Sequence, residues 1–172
     1  MATIMLASAW LLAAVAAAVL LIFAVEVMAG LSPPALARPT GAAPPFTVLV
    51  PAHDEAAGLA TTLEHVLRQL RACDQLLVIA DNCTDVTAEV ALRAGVAVCR
   101  RDDPRNIGKG HALAFGRDLL RTRPTAAVII LDADCLPAPG ALALLAEAAA
   151  REQRPVQGRY LLGIDRNATP LV

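Results

Sequence analysis

The sequence predicts an α/β fold: an open, mostly parallel sheet flanked by helices and preceded by one transmembrane helix. Three observations point there. Short β-branched and aliphatic runs alternate with stretches whose apolar residues recur at helical spacing, the order that builds parallel strands with right-handed crossovers. From Met1 to Val25 there is no charged side chain. The run Val128-Ile129-Ile130-Leu131 stops abruptly at two carboxylates, Asp132 and Asp134, placed where an open sheet keeps its ligands.

The chain has 172 residues, 56% apolar, 3% aromatic and 18% charged, with a net charge of −1. The apolar excess lies at the front. Residues 4–25 are almost wholly aliphatic, and as a helix they span about 33 Å against a bilayer core of ~30 Å. A cleaved signal peptide is the competing reading, with Ala35-Leu36-Ala37 as its cleavage site. The lack of a basic residue before the run, and its length, favour a single-pass anchor over residues 1–30. Arg38 follows the helix and nothing basic precedes it, which places the rest of the chain on the cytoplasmic side of the cell membrane. Glu26, at the helix end, is expected to reach the interface. Cys73, Cys83, Cys99 and Cys135 show no metal or redox spacing and suit reduced cytosolic thiols. Asn82-Cys83-Thr84 and Asn167-Ala168-Thr169 fit the glycosylation sequon, unused on that side. The near-neutral charge gives no electrostatic case for nucleic acid as a partner.

Residues 31–45 hold five prolines and two small-residue clusters, which reads as a linker. Residues 46–172 are one domain's worth of chain, without an internal repeat. Residues 46–50 form a strand ended by Pro51. Residues 57–71 place Leu59, Leu63, Val66, Leu67 and Leu70 on one helical face. Residues 75–80 are a second strand and 85–94 a helix closed by Gly95. Residues 96–99 are a third strand, leading into a polar loop over 100–108. Residues 110–121 are a helix, and 125–131 a strand buried on both faces, as in a sheet covered by helices. Residues 140–151 are an Ala/Leu helix, and a last strand is expected over 155–161.

Parallel strands aim their carboxyl ends the same way, so the residues after each strand meet along one edge. Those residues are His53, Asp54 and Glu55 after the first strand, Asp81 and Asn82 after the second, and Asp132 and Asp134 after the fourth. Asp132 and Asp134, without a basic partner, repel each other and lose solvation, a cost that a divalent cation offsets. Arg100, Arg101, Arg105 and Lys109 lie in the neighbouring loop and could answer phosphate. Acids for a metal beside bases for phosphate make the pattern of a nucleoside-diphosphate site. Each feature alone has a plainer account. His53 suits a helix cap, Asp54 and Glu55 suit the helix dipole, and Asp81 and Asp85 suit a turn and a helix start. The Arg/Lys stretch suits a solvated loop, and His65 and His111 are ordinary helix residues. Joint placement is what favours a site. Gly108-Lys109-Gly110 is not a Walker loop, because the upstream glycine and the following Ser/Thr are missing. Residues 51–55 lack the glycine-rich turn of a dinucleotide fold.

In this order the motifs resemble the family 2 glycosyltransferases, whose nucleotide-sugar domain has the GT-A fold. Val50-Pro51-Ala52-His53-Asp54-Glu55 resembles the family's V-P-A-x-N-E opening, and Ile79-Ala80-Asp81-Asn82-Cys83-Thr84-Asp85 its V-D-D-x-S-T-D segment. Gly108-Lys109-Gly110 with Ala112-Leu113 resembles K-G-x-A-L, and Leu131-Asp132-Ala133-Asp134 the metal-binding L-D-A-D. The resemblance covers residues 46 to about 162. It implies that Asp81 accepts a hydrogen bond from the base, expected to be uracil. Glu55 and the backbone around Ala52, with Pro51, His53, Asn82 and Ala133, would line the donor pocket. Lys109 would lie near the base or diphosphate, Asp132 near the ribose and metal, and Asp134 on Mg²⁺ or Mn²⁺. The implied reaction is direct displacement from a UDP-sugar with inversion, onto a glycan or lipid-linked acceptor. Ala80 departs from the usual Asp-Asp pair, and His53-Asp54 from the commoner Tyr-Asn.

After Asp134 no convincing general base follows: Glu147 and Glu152 read as helix-surface acids, and Asp165 lies in the tail. The base is therefore expected beyond Val172, and the chain is expected to be a fragment that binds donor. Two alternatives stay open. One is a non-catalytic, membrane-tethered nucleotide-sugar-binding or assembly module. The other is a nucleotidyltransferase, whose usual glycine-rich basic opening loop is missing here.

Overall fold

In the computed structural model, which describes residues 2–31 and 43–160, the chain divides into Met1–Ala37 and Arg38–Val172. The first unit is a single helix, α1 (Ala2–Gly30). Its stretch Met5–Gly30 has a mean hydropathy of 2.7 and no buried residue. At 1.5 Å per residue it is about 39 Å long, enough to cross a membrane. The helix runs a full turn past Glu26, which therefore does not end it. Of the expected linker, residues 32–42 lie outside the described residues.

The second unit alternates strand and helix: β1 (Phe46–Ala52), α2 (Leu59–Leu67), β2 (Gln75–Asp81), α3 (Thr87–Arg93), β3 (Ala97–Arg101), α4 (Lys109–Leu120), β4 (Ala127–Ile130) and α5 (Ala141–Glu152). The strands form one parallel sheet in the order β3-β2-β1-β4. All four carboxyl ends therefore lie on one edge.

β1 is buried along nearly its whole length because helices cover both its faces. Val48 and Val50 point into a core with Leu59, Leu63 and Val66 of α2, Ala91 of α3 and Leu142 of α5. Leu49 points the other way, with Ile79 and Ala112 of α4. This alternation is the pleat of a strand between two helical layers. Gly116 lets α4 lie close, since a Cβ there would fall 2.8 Å from Leu49 Cδ2.

Pro51 does not end β1; it sits inside it, opposite Ile79 of β2. The Leu49 carbonyl accepts Leu131 N, so alternation turns the Pro51 nitrogen toward the β4 side as well. The ladder with β4 ends at Leu49–Ile130, so the missing N–H leaves no gap in the pairing.

Several expectations need correction. β4 is not buried on both faces: Ile129 is 7% exposed, but Val128 is 47% and Ile130 52%. The buried Ile129 joins the core shared with α2 and α5, whereas α4 lies over β1 and β2 and leaves the opposite face of β4 open. Residues 155–160 form no strand, and Leu161 lies outside the described residues. A strand needs a paired neighbour; Pro155 has no N–H to give one, and Gly158 weakens the run further. The expected helix over 57–71 is shorter at both ends. Asp54 adopts φ 54° and residues 55–58 form a separate turn. At the other end Arg71 turns back to bond Asp74 and the carbonyls of Ala43 and Pro44.

Candidate nucleotide-sugar site

The tips of β2, β1 and β4 are consecutive along the carboxyl edge, so the acids that follow them share one rim. The loop after β1 is shaped by hydrogen bonds from the loop after β2. Asp54 accepts Thr84 N at 2.6 Å, Thr84 Oγ1 at 2.9 Å and Asp85 N at 3.1 Å. These bonds hold its carboxyl below the usual range, the Thr84 backbone bond contributing most. Asp85 in turn accepts from Ala56 N, Thr87 N and the Thr87 hydroxyl, and Thr87 Oγ1 accepts Glu55 N at 2.8 Å. Glu55 is thereby presented at the rim by a fixed backbone. His53 Nδ1 lies 2.8 Å from the Asp81 carbonyl, so the ring ties β1 to β2 rather than capping a helix. That bond is the main reason its pKa rises above 6.5.

Asp81 is the most enclosed acid of the rim, at 4% exposure. Its Oδ1 takes Arg101 Nη1 at 2.6 Å and Asn82 Nδ2 at 3.2 Å. Arg101 also reaches Asp103 at 3.0 Å, and Asn82 Oδ1 accepts Asp103 N at 2.7 Å. Asp81 Oδ2 has no hydrogen-bond partner among the described residues and remains free to accept one. On the β4 side, Lys109, the first residue of α4, pairs with Asp132. Ala133 is buried, Asp134 is exposed, and Asp134 has no partner among the described residues. The oxygens of Asp132 and Asp134 and the Cys135 sulfur all lie within 4.8 Å of one another.

Two sequence expectations change here. Asp132 does have a basic partner, because the start of α4 brings Lys109 to the tip of β4. Arg100 and Arg101 are not uncommitted phosphate ligands: Arg100 pairs with Glu89 and Arg101 with Asp81 and Asp103. Arg101 and Thr87 are the residues that sequence reasoning missed as parts of the rim. Extending β3 by two residues would have revealed Arg101, because the parallel register sets it opposite Asp81. Asp165 lies outside the described residues.

Residues 47–171 match the family described as Glycosyl transferase family 2. The chain belongs to that family. The sheet and edge of this family 2 chain are also found in solved structures. The mannosyltransferase PcManGT from Pyrobaculum calidifontis, solved in complex with GDP-Man and Mn²⁺, is 28% identical at a TM-score of 0.58, covering 76% of this chain and 39% of that one. Glucosyl-3-phosphoglycerate synthase from Mycobacterium tuberculosis is 26% identical at a TM-score of 0.51, covering 59% and 39%. A structure of that synthase with Mn²⁺, UDP and glucosyl-3-phosphoglycerate aligns at 24% identity and a TM-score of 0.50, which bears on the fold alone. The chain spans about two-fifths of the length of these neighbours. A search of curated proteins finds no match.

The donor chemistry fits a divalent cation at one place on the rim. Asp134 offers an uncommitted carboxylate beside Asp132, an arrangement of oxygen donors suited to Mg²⁺ or Mn²⁺. The second acidic group, Asp54, Cys83 and Asp85, fits less well, because its carboxylates already accept backbone and hydroxyl donors.

Proposed function

We propose that this chain is the donor-binding part of a membrane-anchored, inverting glycosyltransferase. Its donor is a nucleoside-diphosphate sugar, with a UDP-sugar the leading choice. The observation that carries this reading is the convergence of Glu55, Asp81, Asp132 and Asp134 on one edge of a parallel sheet. Asp81 is held by Arg101 and Asn82 through one oxygen, leaving the other to accept an N–H from the base. Uracil and guanine both carry such a donor, and the mannosyltransferase neighbour was solved with GDP-Man. The resemblance of the strand-tip motifs favours uracil. Pro51, Ala52, His53 and Asn82 form the floor and wall around that base. Lys109 moves from Asp132 toward the diphosphate when donor binds.

Asp134 and Asp132 would hold Mg²⁺ or Mn²⁺, which supplies positive charge where the departing diphosphate gains negative charge. Lys109 adds to that compensation. The acceptor is proposed to be a glycan or a lipid-linked glycan, a reading supported by the length and apolarity of α1. The same helix, with Arg38 after it, supports a cell-membrane location with residues 46–172 on the cytoplasmic side.

Thermal shift with a panel of nucleotide sugars, with and without Mn²⁺, tests this reading. Stabilisation by a UDP-sugar that needs the cation is expected. Stabilisation by a GDP-sugar alone would move the donor to guanosine, and no stabilisation by any of them would remove the proposal.

A further inference from the structure

The rim carries a sulfur that the carboxylates do not explain. Cys135 directly follows Asp134, and its amide bonds back to the Asp132 carbonyl at 3.1 Å, closing a tight turn. That turn gathers two carboxylates and one thiol within 4.8 Å of one another. We propose that Cys135 is a third ligand of the divalent cation, giving this site a mixed oxygen and sulfur donor set. The inference rests on the donor-site reading above.

Three features support it. Bonds of about 2.0–2.3 Å around a tetrahedral ion set the donors roughly 3.3–3.8 Å apart, so a contraction of ~1 Å suffices. Tyr160 donates its hydroxyl to the Cys135 sulfur, a second contact of the kind that orients a metal ligand. The other rim thiol, Cys83, is instead directed at the Ala52 carbonyl at 3.4 Å. When the metal–sulfur bond forms, the thiol proton passes to solvent and no electron is transferred. A sulfur ligand shifts preference from Mg²⁺ toward softer cations such as Co²⁺ and Cd²⁺.

The test is Co²⁺ titration of the full chain in detergent with UDP or GDP present, read by absorbance, with Mn²⁺ competition followed by electron paramagnetic resonance. A near-ultraviolet sulfur-to-cobalt band is expected in the native chain and in Cys83→Ser. It is expected to vanish in Cys135→Ser, which should also lose more Cd²⁺ affinity than Mn²⁺ affinity. Co²⁺ that displaces Mn²⁺ without producing the band would overturn the sulfur ligand and leave the donor site standing. A band that survives Cys135→Ser would overturn it too. Failure of both Mn²⁺ and Co²⁺ to bind with either nucleotide would overturn the donor site itself, and Cys135 with it.

Discussion

Arg101 Nη1 lies 2.6 Å from Asp81 Oδ1, across the last register pair of β2 and β3. The side chains are 10% and 5% exposed, so the pair is enclosed. Removing one partner of such a pair strands the other charge, typically at a cost of about 3–5 kcal/mol. Arg101→Met should lower unfolding free energy by that order in urea titrations. Under conditions where it stays folded, it should also weaken nucleotide binding, because Asp81 is no longer fixed. A change below about 1 kcal/mol would mean that Asp81 is held by its backbone alone.

Gly116 provides a control away from the rim. A methyl there meets Leu49 Cδ1 and Cδ2 at 2.9 and 2.8 Å, and overpacking of this kind costs roughly 1–3 kcal/mol. Gly116→Ala should lower the midpoint of urea unfolding while nucleotide affinity of the folded fraction is unchanged.

The Lys109–Asp132 pair is exposed, at 52% and 38%, so its contribution is small, about 0.2–1 kcal/mol. It nevertheless opposes the cation, because Lys109 occupies an oxygen that the metal would use. Lys109→Ala should therefore tighten Mn²⁺ binding alone by roughly two- to fivefold, the affinity equivalent of that energy. The same variant should weaken nucleoside diphosphate binding. Opposite signs in two calorimetric titrations are the signature; a fall in both would place Lys109 outside the cation's surroundings.

His53 gives a pH dependence with a definite sign. Its folded pKa is raised above 6.5, chiefly by the Asp81 carbonyl, so protonation favours the folded state. The stabilisation is fully present below about 6.5, the unfolded value, and is lost as pH rises through the folded value. The stability difference between the native chain and His53→Gln should thus be larger at acidic pH than at pH 8. Asp54 has the opposite sign. Its lowered pKa stabilises the fold above 3.8, and that stabilisation disappears as pH falls through the folded value. Urea titrations across this range, with NMR of the His53 ring, check both.

Much of the fold was legible because its signals are local. Leu59, Leu63 and Val66 repeat at helical spacing, and all three are buried. The β1 and β2 runs are continuous and apolar, and both are central strands. The run at 128–131 carries the same letters, yet its strand lies at an edge with half its side chains exposed. Composition records a strand's apolarity, not whether a helix arrives to cover it. Pro51 misled for a related reason: it breaks a ladder only where its nitrogen faces a partner, and here β4 has already stopped. At the rim, the acids were readable from their position after each run. Their partners were not, because Asp81–Arg101 is set by parallel register and Lys109–Asp132 by the place where α4 begins.

The central claim is that Asp134, together with Asp132, binds a divalent cation on which nucleotide affinity depends. Isothermal titration of UDP and GDP into the native chain and Asp134→Ala, each with and without Mn²⁺, tests it most directly. The native chain should bind UDP tightly only with Mn²⁺, and the variant should show the same weak affinity under both conditions. Full Mn²⁺-dependent affinity in Asp134→Ala would contradict the account.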